Sequence, residues 1–547
     1  MKALVFGEIR PFRVQALLNE YQEEEPIIGR LVQIKSGDKL VIGRVVSLNR
    51  VADILENYYQ VKRLDKRKHS EITSYLIGDR EGIVLDIELI TALQDDKRVS
   101  LNFLVAPLSE VEFLDSFPVK PTAYTGYLGY FWATDVKAPL ILQDFQTLKE
   151  AYHFFIAGET GSGKSTLTQM LLSLYNKRNP NMNFLILDTV GEFTTSFEGR
   201  RNMFLHLKDV WQGEVEIYTP PENLALEGWE VFKEICLDYG VMQIIGVPVR
   251  SAEDAMEGIN AIVDMLKGDN NRSIDYITPN VVERALELLI TDDDVLNEFV
   301  KKVYKDQNAQ ERVRNAVRNH ETFRLFVEKV KEVAELFCTV NTNKRTIADV
   351  INDFSKSAAE GKAGKCVVLN FTLYKTGSRF ISLKAKYVRE TLRALYSAGI
   401  DLYRNIGDFN LNTLVVLEEA HNYAPKHTDV EELKKLSDEI VEYFMETTKF
   451  GIGWMCISTR PSDIRREIFE YSRVKIIDID LIETEKLFGE NFGQEFLDTY
   501  KLLSNLSGQN KGVFAISGPI TLLSQPNPDF IRIFNNSEEF LKSNFYQ

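Results

Sequence analysis

Residues Tyr152 to Tyr175 read YHFFIAG, ETGSGKS, TLTQMLLSLY in succession. The first piece is an apolar aromatic run, the pattern of a buried strand. A Gly-rich turn follows, and then a segment with helical periodicity. The turn comprises Gly158, Glu159, Thr160, Gly161, Ser162, Gly163, Lys164, Ser165 and Thr166. Within it Gly158, Gly163, Lys164 and Ser165 fit the spacing G-x-x-x-x-G-K-[ST] of a phosphate-binding loop. Glycines let backbone N–H groups point at phosphate oxygens without interference from Cβ. The helix behind them presents its positive end to the same anion. Lys164 is then expected to reach the β- and γ-phosphates, and the Ser165 hydroxyl to join a Mg²⁺ shell. The expected ligands are ATP and Mg²⁺.

Outward from this stretch the chain repeats the theme. Asn183 to Asp188 reads NFLILD and runs into TVGEF. A buried strand ending in Asp188, with Glu192 in the turn beyond, makes a second strand–helix unit. In such sheets ligands meet the carboxyl ends of the strands, so both acids are expected on the nucleotide side; capping the next turn is the competing role. Asn412 to Asn422 reads NTLVVLEEAHN. An apolar run ending in paired carboxylates, downstream of a phosphate loop, is the second element of an ATPase. Glu418 is expected to hold Mg²⁺ through water, and Glu419 to polarise the attacking water as general base.

Lys449 to Asp463 reads KFGIGWMCISTRPSD, a further central strand with polar ends. Thr459 or Arg460 is placed to sense the γ-phosphate. The strand is too apolar to be exposed, so Lys449 and Arg460 must lie at opposite rims of the sheet. Arg460, beyond the carboxyl rim, is the favoured cation for a site shared between subunits, with Lys449 as the alternative. Arginine's planar fork also suits a phosphate better than a lysine point charge.

The alternation of strands and helices predicts an α/β fold with a RecA-like P-loop core. Short β-type runs before it, such as ALVFGEI, KLVIGRVVSLN and GIVLDIELI, predict a small β-barrel over residues 1–140. Between them lies a basic run, Lys62 to Lys68, which reads as a solvated loop or a nucleic-acid patch. Residues 141–220 form the first part of the core. Helical periodicity dominates 221–362, an expected helical insertion. The core resumes over 363–547 and ends in a hairpin-like GVFAISGP segment.

The chain has 547 residues, a net charge of −15 and 44% hydrophobic residues, the balance of a globular protein. No apolar run reaches the ~20 residues of a membrane span, and the start carries no export signal; a cytoplasmic setting without membrane partners is expected. Four well-separated cysteines do not suggest a zinc site. A protein coating nucleic acid with its whole surface would be basic, so any DNA contact must be local, such as a pore lining. Candidates are Arg200 and Arg201, Lys375 and Arg379, and Arg465 and Arg466, each on a turn near a strand end; ordinary surface loops are the competing reading.

At these residues the chain resembles the HerA family of hexameric DNA-translocating ATPases, relatives of FtsK. His153 with the phosphate loop, LDTVGEF at Leu187 to Phe193, VLEEAHN at Val416 to Asn422, TKFGIG at Thr448 to Gly453 and STRPS at Ser458 to Ser462 are similar to its motifs. The resemblance implies a HerA-associated barrel at the N-terminus, a homohexamer with duplex DNA in a central pore, and a partner nuclease or sirtuin-like effector. It extends to DNA processing or anti-phage defence. Thr459 stands where the family usually has Gln, a γ-phosphate sensor, and Thr448 where it usually has Arg; Thr189 and Val190 replace a Pro-His pair. These departures leave a second function open: a ring-shaped scaffold in which ATP binding assembles a partner enzyme without processive translocation.

Overall fold

Alternating apolar residues in the first strands have one place to go, the inside of a closed sheet. The computed structural model describes residues 2–18, 27–51, 82–95, 97–132, 134–194, 211–248, 251–374, 377–406, 410–479, 501, 511–522 and 528–546. Strands β1 (Lys2–Arg10), β2 (Arg13–Leu18), β3 (Leu31–Ser36), β4 (Lys39–Val51), β5 (Gly82–Gln94), β6 (Lys97–Val99) and β7 (Glu110–Phe113) pair in the order β2-β1-β7-β3-β4-β5-β6. An additional pairing of β5 with β2, from Arg13 opposite Glu88 to Leu18 opposite Ile83, closes six of them into a ring. Val5, Val14, Ala16, Val32, Ile34, Val41, Leu85 and Ile87 fill its interior. Closure leaves the six ring strands without free edges. The basic run Lys62 to Lys68 lies outside the described residues.

Strands β8 (Thr125–Phe131) and β9 (Lys137–Ile141) begin within the 1–140 stretch expected to form the barrel but do not join it. They complete a second sheet made of β10 (Phe154–Ala157), β11 (Asn183–Asp188), β12 (Val215–Tyr218), β15 (Cys366–Asn370), β16 (Thr413–Leu417), β17 (Ile452–Ser458), β18 (Val474–Asp478), β19 (Val513–Ser517) and β20 (Asp529–Ile533). The short pair β13 (Leu224–Ala225) and β14 (Arg345–Thr346) stands apart from it. The order is β12-β15-β11-β16-β17-β10-β18-β19-β20-β8-β9. From β12 to β18 neighbours run parallel; from β18 onward they alternate. Gly129 makes the β8–β20 contact possible: a Cβ there would lie 1.9 Å from the Arg532 carbonyl oxygen.

The parallel strands are apolar throughout because both faces are covered. Along β10, Phe154 and Ile156 pack into one core and Phe155 and Ala157 into the other. One face receives helix α1 (Lys164–Arg178), which is buried almost all round. Leu31, Ile42 and Leu93 of the barrel join that same core. The other face receives α2 (Trp229–Asp238), α3 (Ser378–Ile406) and α4 (Glu431–Glu446), with residues of the helices up to Glu360. Thr278, Asp292, Asp306, Asn319 and Thr346 cap these helices with their side chains, each satisfying a backbone N–H that the first turn leaves open. The β13–β14 pair ties the two ends of the helical insertion together.

A buried ion network fastens the insertion to the core. Lys386 of α3, 2% exposed, meets Glu234 of α2 at 2.9 Å and Glu432 of α4 at 3.4 Å. One turn on, Arg389 pairs with Glu432 and Glu439. Among the described residues no helix is long and apolar enough to cross a membrane.

Candidate nucleotide-binding site

The order β11-β16-β17-β10-β18 brings five parallel strand ends to one rim, where open α/β sheets collect ligands. Beyond β10 the chain turns through Gly158 to Gly163 and enters α1 at Lys164. Gly161 and Gly163 have φ of 84° and 101°, a region that strains any residue with a Cβ. Gly158 is needed for a different reason: a Cβ there would come within 2.7 Å of both Asp478 Cβ and Ser162 Oγ. The Lys164 ammonium donates to the Glu159 carbonyl at 2.7 Å. Burial lowers its pKa, opposed by the field of Glu419, Glu418, Asp478 and Glu192.

Glu418 follows β16 directly and is 3% exposed. Its Oε2 is buried without a hydrogen-bond partner. Burial, reinforced by Glu419, Asp188 and Glu192, pushes its pKa well above the carboxylate range, and Lys164 opposes the shift. A buried orphan oxygen in the field of the phosphate-loop lysine, with the half-buried Ser165 next in the chain, fits a hard divalent cation, for which oxygen donors are required. Among the described residues no group of three or more His, Cys, Asp or Glu could hold a metal alone. Mg²⁺, which keeps waters and takes substrate phosphates as ligands, needs no such cage.

Glu419 has φ 50° and ψ 62°, the left-handed region, in which a non-glycine residue persists only where its surroundings enforce it. Its Oε2 accepts the Thr459 N–H at 3.2 Å and the Thr459 hydroxyl at 3.0 Å. His421 Nδ1 lies 3.4 Å from the same oxygen, without hydrogen-bond alignment.

The remaining candidate residues fall in different places. Asp188 is fully committed to its own turn: Oδ1 accepts the N–H groups of Val190, Gly191 and Glu192, and Oδ2 accepts the Phe193 N–H and the Thr194 hydroxyl. It builds the turn beside the site instead of presenting an oxygen to a ligand. Glu192 stands in that turn, and its carbonyl receives Gln169 of α1 at 2.9 Å. Lys449 lies in the turn before β17, its ammonium 4.9 Å from the Phe450 ring centre, at the rim opposite the phosphate loop. Arg460 lies on the nucleotide rim, its side chain 70% exposed and 4.0 Å from Asp463.

Of the candidate DNA contacts, Arg465 is held by Asp438 and Glu467 and Arg466 by Glu470. Arg379 stacks over Tyr239 at 5.0 Å. Arg200, Arg201 and Lys375 lie outside the described residues.

Two features escaped the sequence reading. Asp478 ends β18 and accepts the Glu159 N–H at 3.3 Å, pinning the rising limb of the loop. Its signal was present: VKIID is an apolar run ending in an acid, like NFLILD and TLVVLE. The second is the Thr459–Glu419 contact, which joins residues forty positions apart.

Residues 147–371 match the family described as the central domain of the helicase HerA. Over that segment, 225 of the 547 residues, the chain is similar to this family. The matched segment begins before β10 and runs through the phosphate loop and the helical insertion to Phe371. No match was found among curated proteins. Among solved structures, VirB4 of Thermoanaerobacter pseudethanolicus is 13% identical with a TM-score of 0.39, covering 77% of this chain and 99% of that one. The bacterial conjugative coupling protein TrwB is 9% identical with a TM-score of 0.37, covering 73% and 87%. The genome packaging NTPase B204 of Sulfolobus turreted icosahedral virus 2, in complex with ATP-gammaS, is 11% identical with a TM-score of 0.21, covering 34% and 71%.

Proposed function

We propose that this chain hydrolyses ATP as a ring-forming, HerA-type DNA translocase that works with a partner nuclease or other effector. The observation that carries the reading is the convergence of Lys164, Glu418 and Glu419 at one sheet rim, with the orphaned Glu418 oxygen in the field of Lys164. In the proposed mechanism the loop and Lys164 bind the phosphates. Ser165 and Glu418 would hold Mg²⁺, which would supply positive charge against the phosphates. Glu419 accepts the proton of the attacking water.

Arg460 supports a ring. It is a largely exposed guanidinium at the same rim, paired only loosely within its own chain. A cation supplied across a subunit boundary is worth ~10³–10⁵ in rate where such fingers are known. The test is ATP turnover with and without duplex DNA, alongside native mass with and without nucleotide. Mixing Arg460→Ala with Lys164→Ala subunits should restore turnover above either variant alone. A monomer with full ATPase activity sinks the ring, and turnover unaffected in Lys164→Ala sinks the site.

A scaffold reading, in which ATP binding assembles a partner without processive translocation, is favoured by one observation. Arg465 and Arg466, two of the candidate pore cations, are neutralised by carboxylates of their own chain, and the net charge is −15. ATPase activity indifferent to duplex DNA, with rings still formed by Glu419→Gln, would select it.

A further inference from the structure

We propose that Thr459 is the positioning residue of the general base: it aims Glu419 and does not touch the nucleotide. The inference rests on the site assignment above and adds a role for a residue outside it. Strand β17 lies between β16, which ends at the Glu418–Glu419 pair, and β10, which ends at the phosphate loop. Glu419 is therefore separated from the loop by one strand, and Thr459 is the first residue beyond that strand's end. Both donors of Thr459, its N–H and its hydroxyl, go to the same oxygen, Glu419 Oε2. That leaves Oε1 as the oxygen available to a water.

Among the carboxylates whose fields support the Lys164 ammonium, Glu419 acts most strongly, and the two residues end at the same rim of the sheet. Glu419 needs such a hold. Its backbone sits in the left-handed region, and a glutamate side chain has three torsions to order before it can act as a base. Threonine suits the task. Its branched Cβ restricts χ1, so the hydroxyl is presented with little loss of freedom. Its side chain is two heavy atoms shorter than that of glutamine, which keeps it on the neighbouring strand end instead of extending toward a phosphate. A base held within hydrogen-bond reach of its water depends on this kind of support.

The test compares Thr459→Val, which removes only the hydroxyl donor in the same volume, with Thr459→Ser, which keeps it. Both are measured in the full chain beside wild type, Glu419→Gln and the double variant Thr459→Val/Glu419→Gln. Steady-state ATP hydrolysis is followed, and binding of a fluorescent ATP analogue is measured separately. A hydrogen bond to a charged group converts to a kcat loss of roughly 10-fold or more in Thr459→Val. KM and analogue affinity should stay within about twofold, since only a transition-state contribution is removed. Thr459→Ser should keep most of the wild-type kcat. The double variant should be no slower than Glu419→Gln, because the two groups act as one unit.

Wild-type kcat in Thr459→Val, a raised KM at unchanged kcat, failure of Thr459→Ser to retain activity, or additive losses in the double variant would each overturn the inference. Wild-type turnover in Glu419→Gln would instead remove the site assignment, so the two failures are told apart.

Discussion

The two rims of the large sheet are built from ends of the same parallel strands and treat polar groups in opposite ways. At the amino rim the polar side chains at or just before the starts of β10, β11 and β16 are satisfied. Asn183 donates to the carbonyls of Leu411 and Phe354 and accepts from the Ser357 hydroxyl and the Lys365 N–H. Asn412 accepts the Phe145 N–H, and Asn410 reaches the Phe145 carbonyl. His153, just before β10, accepts the Trp454 N–H on Nδ1 and meets the Phe444 carbonyl through Nε2. At the carboxyl rim Glu418 keeps an oxygen unpartnered, Glu419 adopts a left-handed backbone, and Lys164 folds back on its own loop. Satisfied buried networks hold a fold together; strain and unmet polar groups persist where a ligand is to meet them. Substitutions at one rim should therefore cost stability and leave chemistry, and at the other cost chemistry and leave stability.

The largest expected effect is at the carboxyl rim. Glu419→Gln should lower ATP turnover by ~10²–10⁴, the usual contribution of a general base, with nucleotide affinity and melting temperature close to wild type. A matching loss of stability would erase the contrast between the rims.

His153 supplies the next. Burial lowers its pKa from 6.5 to about 4, so the folded state keeps the ring neutral where the unfolded chain already takes up a proton. Its contribution is intact above pH 6.5 and is lost progressively as pH falls to about 4, amounting to about 3 kcal/mol at ~1.4 kcal/mol per unit. Urea unfolding at a series of pH values should show this slope in wild type and a shallower one in His153→Gln.

Asn183→Ala strips a buried side chain of four partners and should cost about 2–3 kcal/mol in unfolding free energy, since the groups left behind lose their bonds. ATP affinity of the folded fraction should be unchanged. A shift in ATP affinity without loss of stability would show that the amino rim is not purely structural.

Glu418→Gln should do the reverse on a smaller scale. Replacing a desolvated carboxylate with a neutral amide should leave the nucleotide-free protein as stable as wild type or up to about 1–2 kcal/mol more so. The stabilisation that wild type gains from Mg²⁺ with ATP in a thermal melt should shrink.

Arg466→Ala sits at the bottom of the scale. Its pair with Glu470 is exposed, and such pairs contribute about 0–1 kcal/mol. Stability and DNA-free turnover should not move measurably, while a loss of duplex-DNA stimulation would place this side chain in a DNA path after all.

Local patterns were legible wherever the physics is local. The phosphate loop is a matter of glycine spacing over a few residues, and the φ values of Gly161 and Gly163 follow from it. Strands such as TLVVL announce themselves because burial on both faces demands unbroken apolar runs. The closed barrel and the helical insertion were likewise readable, from alternation and from 3.6-residue periodicity. Even the opposite placement of Lys449 and Arg460 was deducible, since one buried strand separates them.

What the sequence could not determine is every relation that depends on strand order. Asp188 looks in sequence like Glu418, an acid after an apolar run; only the fold shows its two oxygens consumed by five donors of its own turn while a Glu418 oxygen has none. That β8 and β9 belong with the core and not with the barrel follows from β20, some four hundred residues away, needing an antiparallel neighbour that Gly129 lets approach. Thr459 meets Glu419 because β17 is inserted between β16 and β10. Hydrogen bonds across a sheet join whatever the strand order places side by side, and that order is settled by packing of the whole domain, not by any stretch of residues read alone.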